Sequence, residues 1–360
     1  MQVSFVLFVA SLLVSSNLLA ENTPSPALLI LSKSERTVAI VDPSSLKVIA
    51  RAPVGPDPHE VVASSDGRFA YISNYGGGAY NTIAVIDLIG QKALPSEDLG
   101  ALRGPHGLEF AGGKVWFTAE EAKAIGSYDP ATNKIDWVLG TGQSRTHMIF
   151  VSEDQKRIVT ANVSSGTMTF IEKGSGRGPG PGGPGPGGPP PVGPPPGMPP
   201  GPGGPMGPPR GDWDETVVAV GRGPEGFDVS PDGKEVWAAN AFDGTVSILD
   251  AAAKKVTQTL NADVRGANRL KFTPDGKLVL ISTLGGPDVT VLDAATRNVV
   301  KRVKVGRGAA GIQMDPDGSR VFVACTPDDY VAVIDLKSLE VTSHIDAGKQ
   351  PDGLAWAIRR

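Results

Sequence analysis

From Ala27 onward the chain alternates apolar and polar positions in short runs, the period-2 pattern of half-buried strands. TVAIVD (Thr37–Asp42), TIAVID (Thr82–Asp87), TVSILD (Thr245–Asp250), DVTVLD (Asp288–Asp293) and YVAVID (Tyr330–Asp335) are the clearest of them. No stretch beyond the first 20 residues keeps a helical period. Turn signals separate the runs: SSDGR at Ser64, SEDQK at Ser152, SPDGK at Ser230, TPDGK at Thr273 and DPDGS at Asp315. Asp-Gly between apolar runs marks a hairpin, because Gly accepts the positive φ of a tight turn. The pattern returns every ~42 residues as four short strands, the signature of a propeller blade.

Six full units start near Gly55, Gly104, Gln143, Gly223, Gly266 and Gly308. A seventh is split. The N-terminal part supplies ALLILSK (Ala27), TVAIVD (Thr37) and KVIARAPV (Lys47), and QPDGLAWAIR (Gln350–Arg359) supplies the missing innermost strand. The expectation is an all-β, seven-bladed propeller of four-stranded antiparallel blades over residues 27–359. Its first blade is closed by the C-terminal strand, which leaves no open sheet edge.

With the blades in register, YISN (Tyr71–Asn74), the SPDG turns and the TVxVID strands resemble the YVTN-repeat β-propeller family over almost all of Ala27–Arg359. Blade 3, PHGLEFAGGKVWFTAEEAKAIGSYDPATNKI, also resembles blades of streptogramin-lyase-type propellers, and the family borders on lactonase-type enzymes. The resemblance implies the fold. It implies no activity, since propellers host many functions and the enzymes' catalytic pattern does not recur outside blade 3.

Composition adds two segments and removes some function classes. Phe5–Val14 is a short apolar run followed by Ala20-Glu21, which reads as a signal peptide over residues 1–20 and a periplasmic or secreted protein. No other run approaches membrane length. Between Gly174 and Gly211, Gly and Pro fill 32 of 38 positions, so residues 174–212 form a disordered, proline-rich insert within blade 4 that cannot bury a core. The 34 basic and 38 acidic residues give a formal charge of -4, which argues against nucleic-acid binding. One cysteine, Cys325, excludes an intrachain disulfide and a cysteine zinc cluster. A monomer is expected.

The candidate chemistry emerges only from the repeat register. The residue at the start of each innermost strand is His59, His106, His147, Glu225, Asn268, Ala310 and Asp352 in blades 2 to 7 and then 1. Three of the protein's four histidines occupy this one ring at a channel mouth. Imidazoles near a carboxylate suit a divalent metal, with His59, His106 and His147 as ligands, or acid–base work by His147 with Glu225. The plain alternative is a repeated Pro-His habit that serves loop packing. Three residues upstream, Arg103, Arg222, Arg265, Arg307 and Lys349 form a basic collar, with Arg145 nearby. Loops after the second strands add Asn74, Tyr75, Tyr80, Glu120, Glu121, Asp328 and Asp329 to this face.

The first expectation is a binding module that holds a small anionic molecule or a protein segment at the His/Arg-lined mouth. Two alternatives remain: a lactonase- or lyase-type enzyme at the same mouth, metal-assisted or not, and an interaction scaffold with an inert mouth. No cofactor other than a divalent metal is implied. Cys325 reads as a small, half-buried residue, and Trp116, Trp237, Tyr71 and Phe322 as core between blades.

Overall fold

The computed structural model describes residues 22–174 and 213–359. The expected signal peptide, and the insert apart from Gly174, lie outside the described residues. Seven four-stranded antiparallel sheets make up the ring. In the closing blade the C-terminal strand (Pro351–Ala357) lies innermost and pairs with Ala27–Ser32, followed by Thr37–Asp42 and Lys47–Pro53. The register runs Ala27↔Ala357, Leu28↔Trp356, Leu29↔Ala355 and Ile30↔Leu354.

Second and third strands are buried along almost their whole length, whereas outer strands alternate buried and exposed positions. That burial belongs to the interfaces between blades. Each of the seven apolar clusters draws on two neighbouring blades, as where Trp237, Val246 and Ile248 of blade 5 meet Leu270, Val279 and Ile281 of blade 6. Trp116, Trp237, Tyr71 and Phe322 are all buried in these seams. Cys325 is wholly buried too, and burial pushes its thiol up to about 12, so it is no reactive nucleophile.

Three local devices aim one residue of each inner strand at the channel. First, the residue two before it is left-handed in all seven blades: Gly104, Gly223, Gly266 and Gly308, but also Asp57, Arg145 and Gln350, at φ 49°, 58° and 55°. A non-glycine residue pays a steric cost there. Asp57 and Arg145 bring charged side chains to the mouth in return. Second, the ladder slips beside this residue in every inner strand, for example between Pro105 and Leu108 and between Thr146 and Ile149. Such a bulge re-aims a side chain. Third, second-strand hydroxyls stitch blades together. Ser73 accepts from Glu60 N–H and donates to the His106 carbonyl. Thr118 accepts from Gly107 N–H and donates to the His147 carbonyl.

One step further along, the inner strands carry Gly107, Gly226, Gly311 and Gly353, each of which lies against the backbone of the next blade. A Cβ on Gly226 would meet Asn268 O at 2.5 Å and Arg269 Cα at 2.6 Å. Backbone cannot yield there as a flexible side chain can. Gly226→Ala is therefore expected to destabilise the ring by about 2 kcal/mol in denaturant melts, with overpacking as the cause.

Candidate functional site

At the blade 2–4 side of the mouth the three ring histidines stand in a row. The His106 and His147 rings are 3.6 Å apart between centroids, and His59 and His106 are 4.3 Å apart. The residue just after each neighbouring second strand faces the same place: Lys33 in blade 1, Tyr75 in blade 2 and Glu120 in blade 3.

His147 is buried between two carboxylates. Its Nδ1 contacts Glu120 Oε1, and its Nε2 lies 2.8 Å from Glu225 Oε2 as an ion-pair contact rather than an aligned hydrogen bond. Burial works to lower the His147 pKa, but Glu120 and Glu225 outweigh it and hold the pKa above the ordinary value. Glu225 is itself desolvated. His147 and the Arg145 and Arg269 guanidiniums nevertheless hold it down to about 2. Arg145 Nη1 stands 3.4 Å from Glu225 and its Nε 3.7 Å from Glu120. Tyr75 donates its hydroxyl to Glu120 Oε2 at 2.5 Å.

His106 differs from both neighbours. It is wholly buried, yet neither ring nitrogen has a hydrogen-bond partner among the described residues. Burial first, then the neighbouring His147 and His59, hold its pKa well below the ordinary value, so the ring is neutral. An orphaned buried polar group costs about 1–3 kcal/mol, so this one calls for an explanation. His106, His147 and Glu120 each offer a ligand atom, and the three atoms lie within 4.8 Å of one another.

His59 does not join that set, contrary to the expectation of a three-histidine site. Lys33 Nζ lies 2.7 Å from its Nδ1, and Lys33 is itself 3.1 Å from both Asp57 and Asp352. The basic collar is also less available than its spacing implies. Arg222 and Arg307 turn back onto Asp243 and Asp328 at 2.7 and 2.6 Å, while Arg103 and Arg265 donate to backbone carbonyls. Among the charged groups joined by contacts at the mouth and just below it, Lys33, Arg145 and Arg269 face Asp57, Glu60, Glu120, Glu225 and Asp352. With the histidines counted as neutral, as ligation by an ion requires, negative charge is in excess by two, and a proton on His147 lowers that excess by one. Asn268 and Ala310 complete the ring on the far side, and both are buried.

Below the mouth, Glu60 and Arg269 pair across the channel from blades 2 and 6. Beneath them a cavity of about 280 Å³ is lined by Glu109, Phe150, Asp228, Lys271 and Trp356 among others. Burial is the main force that pushes Glu109 up to about 7, with Lys271 pulling it down and Asp228 pushing it up. A carboxyl with a raised folded pKa contributes stability that is fully present below the ordinary 4.5 and is lost as pH climbs through about 7. Glu109→Gln should remove that decline and leave the variant about 2 kcal/mol more stable than the parent at pH 8. Equal pH profiles for the two proteins would contradict it.

Residues 208–351 match the model of a family described as a YNCE-like beta-propeller. Among curated proteins none matches the chain. Solved structures share the fold at low identity. A functionally unknown protein from Desulfotomaculum acetoxidans is 12% identical at a TM-score of 0.70, with 93% of this chain and 100% of that one covered. A candidate 6-phosphogluconolactonase from Bacteroides uniformis is 15% identical at 0.69, covering 92% and 99%. The dihydro-heme d1 dehydrogenase NirN, in complex with DHE, is 15% identical at 0.61, covering 93% and 75%. These likenesses carry the β-propeller fold.

Proposed function

We propose that this propeller is a metal-centred binding protein, with a divalent first-row ion held at the channel mouth by His106, His147 and Glu120. The observation that carries the reading is His106: a neutral, wholly buried imidazole without a protein partner, beside a second histidine and a carboxylate. Two imidazoles and one carboxylate suit several such ions and leave coordination positions open. The surroundings match what metal ligands need. Glu225 stands at the far nitrogen of His147, as the carboxylate partner of a ligating histidine does, and Tyr75 holds the second oxygen of Glu120. The excess of two negative charges at the mouth is what a divalent cation offsets. An anion held directly by the collar has less support, because two of the four collar arginines are already paired with aspartates.

The test is metal content and melting of the full chain after chelator treatment. We expect one zinc or cobalt ion per chain on reloading, and a rise in melting temperature of about 5 °C at saturating ion. Glu120→Gln should lose most of both. A parent protein that retains no ion and melts alike with and without it would overturn the reading.

A second reading is favoured by one specific observation, the His147–Glu225 pair with Arg145 beside it. That is an acid–base pair next to a cation, the arrangement a lactone-opening enzyme could use, and one structural neighbour is a candidate lactonase. Turnover of 6-phosphogluconolactone by the parent, lost in His147→Asn, would establish it. Export, expected from residues 1–20, would place the mouth outside the cytoplasm, and cell fractionation tests that.

A further inference from the structure

We infer that the open side of this metal centre takes the carboxylate group of a small organic acid, and that His59 is the residue that recognises it. The inference rests on the metal reading above and adds a ligand class and a donor to it.

Lys33 sets the tautomer of His59. Lys33 Nζ lies 2.7 Å from His59 Nδ1 and is anchored by Asp57 and Asp352. An ammonium only donates, so Nδ1 must accept, and a neutral ring in that position carries its proton on Nε2. His59 therefore has no lone pair left for an ion. It presents an N–H donor. Among the described residues no protein group pairs with that Nε2, and the side chain keeps 18% of its surface exposed at the mouth. Its ring stands against that of His106, one of the proposed ligands. The mouth thus places an unused donor beside one of the ion's proposed ligands.

Charge and shape then select the guest. A divalent ion neutralises the mouth's excess negative charge, and the partly exposed Arg145 lies beside the proposed ligand Glu120. At the rim, Arg103 and Arg265 donate to backbone carbonyls, and among the described residues neither makes a direct ion pair. A carboxylate has two oxygens in one plane, so one can face the ion while the other accepts from His59 Nε2–H. A neutral guest gains nothing from the rim.

The test uses the full chain loaded with cobalt(II), titrated with acetate and read by visible absorption. Acetate should perturb the cobalt spectrum of the parent. His59→Phe should weaken acetate by about tenfold while still holding one cobalt per chain, and His59→Gln, which restores an N–H donor, should recover most of the affinity. Lys33→Met, which leaves His59 in place but frees its Nδ1, should also weaken acetate. Far-ultraviolet circular dichroism checks that each variant is folded. Equal acetate affinity in parent and His59→Phe overturns the inference. So does loss of cobalt from a folded His59→Phe, which would make His59 a ligand, or a spectrum that responds to inorganic phosphate and not to acetate. Failure of the parent to take up cobalt is read separately, from metal content, and removes the metal reading and this inference together.

Discussion

Deleting Gln350–Arg359 should abolish cooperative unfolding of the ring. The segment is the innermost strand of the closing blade and pairs with Ala27–Ser32 across five registered positions. Its loss would turn Leu28, Leu29, Ile30 and Leu31, all wholly buried, into an open sheet edge. It would also strip Leu354 and Trp356 from the seam between blades 7 and 1, and Ala355 and Ala357 from the seam between blades 1 and 2. Removing a buried large side chain costs about 2–5 kcal/mol, and a whole domain is stable by about 5–15 kcal/mol. The sum of these losses is therefore of the order of the total stability. Urea melts followed by circular dichroism and by tryptophan fluorescence should give broad, non-coincident transitions for the truncated chain. A single sharp transition at the parent's midpoint would contradict closure by this strand.

How much of this was legible beforehand depended on what the repeat could encode. The ring at the inner-strand start is legible because the chain turns into the channel at the same place in every blade, and four of those seven turns are marked by Gly. The split blade is legible because three N-terminal strands lacked a partner that QPDGLAWAIR could supply. The role of Glu120 was not, although the residue was placed on the correct face. It stands one residue past its second strand, where Lys33 and Tyr75 also stand. Reading that position across all blades would have picked out a lone buried acid. The pairing of side chains was harder still. Spacing alone does not show that Arg222 and Arg307 fold back onto Asp243 and Asp328, because those contacts arise between loops 21 residues apart. For the same reason the sequence grouped His59 with the other two histidines, whereas Lys33 claims its Nδ1.

His106→Leu should move stability in opposite directions with and without metal. In the metal-free protein His106 buries two unpartnered nitrogens in a wholly desolvated position. Leucine is of similar size and has no polar atom to desolvate. The variant should therefore gain about 1–2 kcal/mol in the chelator-treated protein, the cost of a buried unsatisfied group now removed. In saturating zinc the order reverses. The parent gains its binding free energy, about 2.7 kcal/mol at 100 times the dissociation constant, and the variant gains almost none of it. A variant less stable than the parent under both conditions would point to His106 as a packing residue. Two further readings separate ligand from neighbour. Glu225→Gln should weaken the ion by about 10–100-fold without abolishing it, as expected for a group acting through His147. Asn268→Ala, across the ring, should leave the ion in place.

Anomalous X-ray diffraction from crystals of the full chain loaded with zinc or cobalt, collected at that metal's absorption edge, locates the ion directly. One strong anomalous peak per chain is expected at the mouth, at ~2.0–2.2 Å from a nitrogen of His106, a nitrogen of His147 and an oxygen of Glu120. His59 should stay on Lys33 in the same map. No peak between these three side chains, or one coordinated by His59 with Lys33 displaced, would contradict it.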